Sequence, residues 1–194
     1  MPLDPAQRTA SIQAAIADAN AVVTGLQGLV FPEPTSMTFK CSLLSEKYTK
    51  DILGAAPASH AREFDGTDFI YTFRIIPEAE NIPRDIIRLF TEARALQSET
   101  DYDGKKDYCK ANENPSQYLY VGRSKKLRSR LSQHLGAKHE GIFAMHLQRW
   151  ATRIDCEIEI AFYRFDGRSN LIVQAIEDGV WKSVLPMLGR QGEQ

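Results

Sequence analysis

The chain has 194 residues, of which 43% are hydrophobic and 25% are charged, and its formal net charge is −1. This composition predicts one globular domain, or one domain with an elaboration, that can bury a core. Because the sequence has no long apolar run, neither a signal peptide nor a membrane span is expected. The three cysteines are far apart, which argues against a disulfide framework and against a zinc knuckle. We therefore expect a cytoplasmic protein.

Hydrophobic spacing predicts the elements of the first half of the chain. A helix is expected from Pro5 to about Leu29, and a short helix is expected near Leu43 to Leu53. A strand over Asp68 to Ile76 follows the turn at Asp65-Gly66, and a further helix covers Pro83 to Gln97. The first helix carries one apolar face, made of Ile12, Ile16, Ala19, Val22, Val23 and Leu26.

The second half begins with a polar stretch, Ser98 to Gln117, which predicts a long surface loop. A strand ending at Gly122, a basic helix ending at Leu135 and an amphipathic helix over Ile142 to Ala151 come next. The last elements are a strand from Cys156 to Phe165 and a helix from Asn170 to Val184.

The order of these elements predicts an α+β domain with a small mixed or antiparallel sheet of about three strands flanked by helices. Residues 1–67 are interpreted as an N-terminal helical extension. Residues 68–194 form the main domain, with an insertion over residues 77–117 that carries one helix.

The basic helix is the most informative part of the sequence. Five cationic residues fall within eight positions that contain no acid: Arg123, Lys125, Lys126, Arg128 and Arg130. In a nearly neutral chain, such a concentration predicts a surface that attracts anions. Ser124 is a suitable N-cap for the helix, and Gly136 is a suitable end.

At these residues the chain resembles the GIY-YIG nuclease superfamily. The second half of the family name matches Tyr120-Val121-Gly122, and the helix that follows carries Arg130 and His134. The first half matches Phe69-Ile70-Tyr71, in which Phe69 stands where the family has glycine. The family's later glutamate matches Glu177. The two tyrosine strands are usually a short hairpin, whereas Tyr71 and Tyr120 are 49 positions apart here (120 minus 71).

The resemblance implies a metal-dependent endonuclease that hydrolyses phosphodiester bonds in DNA, as a restriction-type enzyme does. Arg130 would stabilise charge on the scissile phosphate, and His134 would bind the phosphate or assist proton transfer. Glu177 would hold Mg²⁺ or another divalent cation such as Mn²⁺, while Tyr71 and Tyr120 would flank the attacking water. The nucleic-acid backbone would be held by Arg123, Lys125, Lys126 and Arg128.

Two other functions remain open at this point. The chain could be a nuclease fold that binds nucleic acid without cleaving it, or a protein-interaction domain whose basic helix docks on an acidic partner. The tyrosines could be packing residues, and Arg130 and Glu177 could be solvated members of helix faces. His60, His139 and His146 have no convincing metal-ligand spacing with the cysteines. A symmetric duplex target would favour a homodimer, because one active site cuts one strand.

Overall fold

The computed structural model describes residues 4–58, 67–76, 82–99, 108–112, 114–136 and 141–192. Its strands are β1 (Thr35–Lys40), β2 (Thr67–Ile76), β3 (Tyr118–Ser124) and β4 (Glu157–Asp166). Its helices are α1 (Pro5–Leu26), α2 (Glu46–Ala55), α3 (Ile82–Glu99), α4 (Leu127–Leu135), α5 (Leu147–Trp150) and α6 (Asn170–Val184). The predicted α+β class is confirmed. The predicted turn at residues 65–66, His60 and His139 lie outside the described residues.

The four strands form one antiparallel sheet in the order β1-β4-β2-β3. The two tyrosine strands, β2 and β3, are therefore direct neighbours, and Tyr71 lies opposite Gly122 in their register. The sheet has one strand more than the three expected, because β1 pairs with β4 at the edge. β1 belongs to the segment 1–67 that the sequence suggested was a helical extension, so this segment contributes to the sheet as well.

The inner strand β2 is covered on both faces, which is why nearly all of its side chains are buried. On one face, Tyr71, Phe73 and Ile75 belong to the main hydrophobic core. On the other face, Ile70 packs in a second, smaller core with residues of α6. Since side chains alternate along a strand, β2 divides the domain into an α4 side and an α6 side.

Helix α1 forms as predicted but buries none of its side chains. Its predicted apolar face is largely in solvent, since Ile12 is 60% exposed and Val23 is 54% exposed. The helix meets the domain at its C-terminal end, where Gly25 lies against Ile172 of α6 and Leu26 joins the second core. The sequence pattern thus predicted the helix correctly, but it did not show that most of the apolar face is exposed.

Three local predictions were wrong. The helix predicted over residues 142–151 is reduced to α5 and a 3₁₀ turn over Ala151–Arg153, and it starts after His146 in a left-handed conformation with φ 50°. In the stretch predicted as a surface loop, Tyr108 and Cys109 are buried. Ser124 is not the N-cap of α4, because it ends β3 and its hydroxyl accepts a hydrogen bond from the Lys126 amide at 3.0 Å.

No helix among the described residues has the length and apolar character that crossing a membrane requires.

Candidate active site

An open cleft of about 820 Å³ lies where β2 and β3 meet the helices on either side of the sheet. Four of the five predicted catalytic residues line it, namely Tyr71, Tyr120, Arg130 and Glu177. They come from β2, β3, α4 and α6, so the fold brings together side chains that are far apart in the sequence. His134, the fifth, is fully buried behind the tyrosines rather than in the cleft wall.

Two glycines determine how the tyrosines pack. A Cβ atom at Gly122 would lie 2.6 Å from the Tyr71 hydroxyl oxygen and 2.6 Å from the ring of Tyr120. A Cβ atom at Gly189 would lie 2.8 Å from the other edge of the Tyr120 ring, and Gly189 has a positive φ of 97°. The two tyrosine rings are stacked with their centroids 6.2 Å apart. The glycine of the Tyr-Val-Gly triplet is therefore required by the packing of the tyrosine pair within the sheet.

The segment that carries Gly189 is held by Lys110 and Asn112, which lie in the stretch that the sequence predicted to be a surface loop. The Asn112 side chain donates to the carbonyl oxygens of Pro186 and Gly189 at 2.9 and 3.1 Å. The Gly189 amide donates to the Lys110 carbonyl at 2.8 Å. These bonds keep the backbone of residues 186–189 against Tyr120, so part of the insertion supports the cleft.

His134 positions Tyr71. Its Nδ1 accepts the Met145 amide at 3.3 Å, which assigns the ring proton to Nε2, and Nε2 lies 3.1 Å from the Tyr71 hydroxyl oxygen. Burial, with the charge of Arg130 and the nearby His146, lowers the pKa of His134 well below its usual value. A neutral His134 therefore donates to Tyr71, and the phenolic proton of Tyr71 is left to point elsewhere.

Arg130 extends from α4 to the cleft. One terminal nitrogen donates to the Gln133 side chain at 2.8 Å, and the other lies 3.4 Å from the Tyr120 hydroxyl. The guanidinium is thus held next to the tyrosine pair rather than free in solvent. A fixed, permanently charged group of this kind suits the binding of a phosphate.

The tyrosines are held in their protonated form. Burial raises the pKa of Tyr120 to about 12, although Arg130 acts in the opposite direction. Burial raises the pKa of Tyr71 well above its usual range, and the neighbouring Tyr120 adds to the effect. At neutral pH both hydroxyls are therefore hydrogen-bond donors in the protein as it stands.

Glu177 lies on the α6 side of the cleft and is 9% exposed. Gln174 donates to its carboxylate at 3.3 Å, and the Arg123 Nε lies 4.0 Å from the same oxygen. Burial raises the pKa of Glu177 to about 7, against the opposing charge of Arg123. Removing water from a carboxylate is costly, and one weak ion pair does not compensate for it.

Two further polar residues line the cleft that the sequence analysis did not single out. Asp68, on β2, is 3% exposed. Asn170, at the start of α6, accepts from the Arg123 guanidinium through its carbonyl at 2.9 Å and its side chain at 3.0 Å. The signal for Asp68 was an acid in a strand whose neighbours are aromatic and aliphatic.

The four basic residues predicted to bind the nucleic-acid backbone lie in different environments. Arg123 and Lys125 line the cleft, and Lys126 is exposed beside it. Arg128 points away, because its guanidinium donates to the carbonyls of Ala56 at 2.6 Å and Gly54 at 3.1 Å. These carbonyls end α2, so Arg128 joins α4 to α2.

The donor atoms of the cleft suit a hard divalent cation better than a soft one. Its candidate metal ligands are carboxylate oxygens, and the nearby His134 already uses both ring nitrogens. Within the described ranges, no group of three or more His, Cys, Asp or Glu side chains is placed to hold a metal ion. Mg²⁺ does not need such a group, since it commonly keeps several waters and uses one or two carboxylates with substrate phosphates.

Comparison with known proteins gives no further guide, because no family model, no curated protein and no solved structure matches the chain significantly.

Proposed function

We propose that this protein is a metal-dependent endonuclease of the GIY-YIG type that hydrolyses phosphodiester bonds in DNA. The observation that carries the proposal is the meeting of Tyr71, Tyr120, Arg130 and Glu177 in one cleft. The sequence pattern alone indicates these four residues, although they lie far apart along the chain. Four residues without a common function would have no reason to line one cleft.

Arg130 supplies charge in this reaction. As water attacks, negative charge develops on the phosphate oxygens, and a guanidinium already fixed by Gln133 and Tyr120 can stabilise it without first being ordered. Lys125, at the cleft wall, guides the sugar-phosphate backbone toward Arg130.

Tyr71 and Tyr120 orient the attacking water and the phosphate through their hydroxyls. His134 donates to the Tyr71 oxygen, so the Tyr71 proton is free for a hydrogen bond into the cleft. The same donation would stabilise a tyrosinate if Tyr71 gave up that proton. A tyrosine that takes the proton of the water must first have released its own proton to solvent, and the raised pKa values of both tyrosines oppose that release.

Glu177 is the residue that would hold a divalent cation, since it is a carboxylate with weak compensation at the cleft wall. Such a cation would add positive charge at the scissile phosphate and lower the pKa of a bound water. Gln174 orients the Glu177 carboxylate by its hydrogen bond at 3.3 Å.

The binding-only alternative is favoured by one observation. Both tyrosines have raised pKa values, so the deprotonated form that could act as a base is scarce at neutral pH. A cleft with Arg130 and Lys125 could hold nucleic acid without any chemistry. Phe69 does not favour this alternative, because it is buried in the main core and does not line the cleft.

The homodimer is part of the same proposal. Two strands of a duplex require two active sites, and α1 exposes Ile12, Ile16 and Val23 on a surface that a second copy would cover. Sedimentation should show a dimer, and Ile16→Glu should return it to a monomer. A wild-type protein that is monomeric and still makes double-strand breaks in one binding event would contradict this part.

Incubation with supercoiled plasmid and Mg²⁺, beside an EDTA control, tests the proposed function. The wild-type protein should cleave, Arg130→Ala should not, and Lys50→Ala should cleave because Lys50 pairs with Glu46 on α2 and does not line the cleft. Circular dichroism would show that each variant is folded. No cleavage together with a salt-sensitive gel shift would support the binding-only alternative, and no affinity for DNA at low salt would support a protein-interaction domain.

A further inference from the structure

Asp68 lies on the same side of the sheet as Glu177. Asp68 and Ile70 are two positions apart on β2 and share a face, and Ile70 packs against Val173 and Ile176 of α6. Glu177 follows Ile176 in the same helix, and both carboxylates line the cleft. The strand and the helix therefore present one acid each to a common space.

Asp68 lies at the cleft wall with little of its surface exposed. It is 3% exposed, and none of the described residues gives it a hydrogen bond or an ion pair. By contrast, Glu159 on β4 is paired with Arg74 at 3.0 Å. A carboxylate that opens on a cleft beside a second carboxylate, without a protein partner, is suited to bind a cation from solution.

The arginines of the cleft are already engaged by other groups. The terminal nitrogens of Arg123 donate to Asn170, and its Nε faces Glu177 at 4.0 Å. Arg130 is held by Gln133 and Tyr120. Both guanidinium groups therefore contact groups other than Asp68, and Glu177 has only the long contact of 4.0 Å with Arg123. A cation between the two carboxylates would add the positive charge that these contacts do not supply.

We propose that Asp68 and Glu177 together bind one hard divalent cation, Mg²⁺ or Mn²⁺, between β2 and α6. The proposal rests on the proposed function for the cation at Glu177 and adds Asp68 as its second ligand. Two carboxylates leave most of the coordination sphere to water and to phosphate oxygens, as Mg²⁺ and Mn²⁺ accept. Zn²⁺ is disfavoured, because no thiolate or free imidazole lines the described part of the cleft.

Titration of the full chain with Mn²⁺, followed by the electron paramagnetic resonance signal of free Mn²⁺, tests this site without relying on activity. The wild-type protein should bind one Mn²⁺. Asp68→Asn should weaken binding at least about tenfold, and Glu177→Gln should do the same, because each removes one charged ligand. Asp178→Asn is the matched control, since Asp178 adjoins Glu177 and binds Gln174 but does not line the cleft. It should change the affinity less than about threefold.

Thermal unfolding gives a second measurement, which also reports whether the variants fold. In EDTA, Asp68→Asn should melt at a higher temperature than the wild-type protein, because the repulsion between the Asp68 and Glu177 carboxylates is removed. Mn²⁺ should raise the melting temperature of the wild-type protein and should have little effect on Asp68→Asn or on Asp68→Ala.

Failure of this proposal is distinguishable from failure of the proposed function. If Asp68→Asn binds Mn²⁺ as tightly as the wild-type protein while Glu177→Gln does not, Asp68 is not a ligand and the nuclease proposal stands. If both variants lose Mn²⁺ and the wild-type protein cleaves no nucleic acid, the site stands and the nuclease proposal fails. Equal weakening by Asp178→Asn and Asp68→Asn would also overturn the proposal, since the effect would then be one of net charge.

Discussion

The substitution Gly122→Ala should destabilise the protein through its effect on the tyrosine pair. The added Cβ would lie 2.6 Å from the Tyr71 hydroxyl oxygen, 2.8 Å from Tyr71 Cζ and 2.6 Å from Tyr120 Cε1. Ordinary contacts at these positions begin near 3.4 Å, so both rings, or the backbone at residue 122, have to move by nearly 1 Å. Tyr120 meets Gly189 on its far side, and Tyr71 is held by His134, so neither ring has room.

Overpacking of a closely packed core typically costs about 1–3 kcal/mol, and we expect a loss of that size for Gly122→Ala. For a domain of this length, each kcal/mol corresponds to about 2–4 °C in the melting temperature. Urea unfolding monitored by circular dichroism would give the free energy of unfolding.

The matched control is Gly179→Ala in α6. A Cβ there meets nothing within 4 Å, and alanine is the better helix former by about 1 kcal/mol, so stability should rise. Tyr71→Phe adds a further check, because it removes one of the clashing atoms together with the bond to His134. Its combination with Gly122→Ala should cost less than the sum of the two single variants. If Gly122→Ala proved as stable as the wild-type protein, the packing of Tyr71 against Gly122 would be refuted.

Three other perturbations test separate parts of the site. In EDTA, stability should fall as the pH rises from about 4.5 to about 7, because burial raises the pKa of Glu177 to about 7 and the folded protein keeps a proton that the unfolded chain releases. Glu177→Gln should remove up to about 3 kcal/mol of this pH-dependent loss in the free energy of unfolding. If urea unfolding of the wild-type protein gave the same free energy across that pH range, the environment described for Glu177 would be contradicted. Arg128→Ala should lower the free energy of unfolding by about 1–3 kcal/mol, because it breaks the bonds to Gly54 and Ala56, and should leave DNA affinity nearly unchanged; a large drop in affinity would mean that Arg128 contacts DNA instead. Lys125→Ala should do the reverse, with stability unchanged and the salt dependence of DNA binding reduced by about one unit of slope, as a gel-shift series would measure.

The parts of the fold that were predicted correctly are those with strong local signals. The leucines at 127, 131 and 135 indicated the buried stripe of α4, and all three are fully buried. The helix that carries Glu177 was predicted with its observed bounds, Asn170–Val184. Four of the five predicted catalytic residues line the cleft, and the Tyr-Val-Gly triplet also supplies the glycine that the packing of the two tyrosines requires.

The parts that were missed depend on tertiary contacts. β1 is an edge strand of six residues in which only Met37 and Phe39 carry the apolar alternation, and so short a pattern does not mark a strand. A charge pattern could not separate Arg128, which binds backbone carbonyls, from Lys125, which lines the cleft. From the sequence, Asp68 is a residue at the end of a strand, whereas in the structure α6 covers the face of β2 on which it lies. Local sequence does not carry that information.

The strand order has a consequence for how the chain folds during its synthesis. β1 is made early, but its partner is β4, and even the closest pair in their register, Lys40 and Glu157, is 117 positions apart (157 minus 40). β2 likewise pairs on one side with β4, so most of the sheet waits for the last third of the chain. Contacts at such separations make folding slow, and the unpaired apolar strands are open to aggregation in the meantime. A fragment that ends before β4 would leave β1 and β2 without the strand that joins them, so the cleft can form only after the C-terminal part of the chain has emerged from the ribosome.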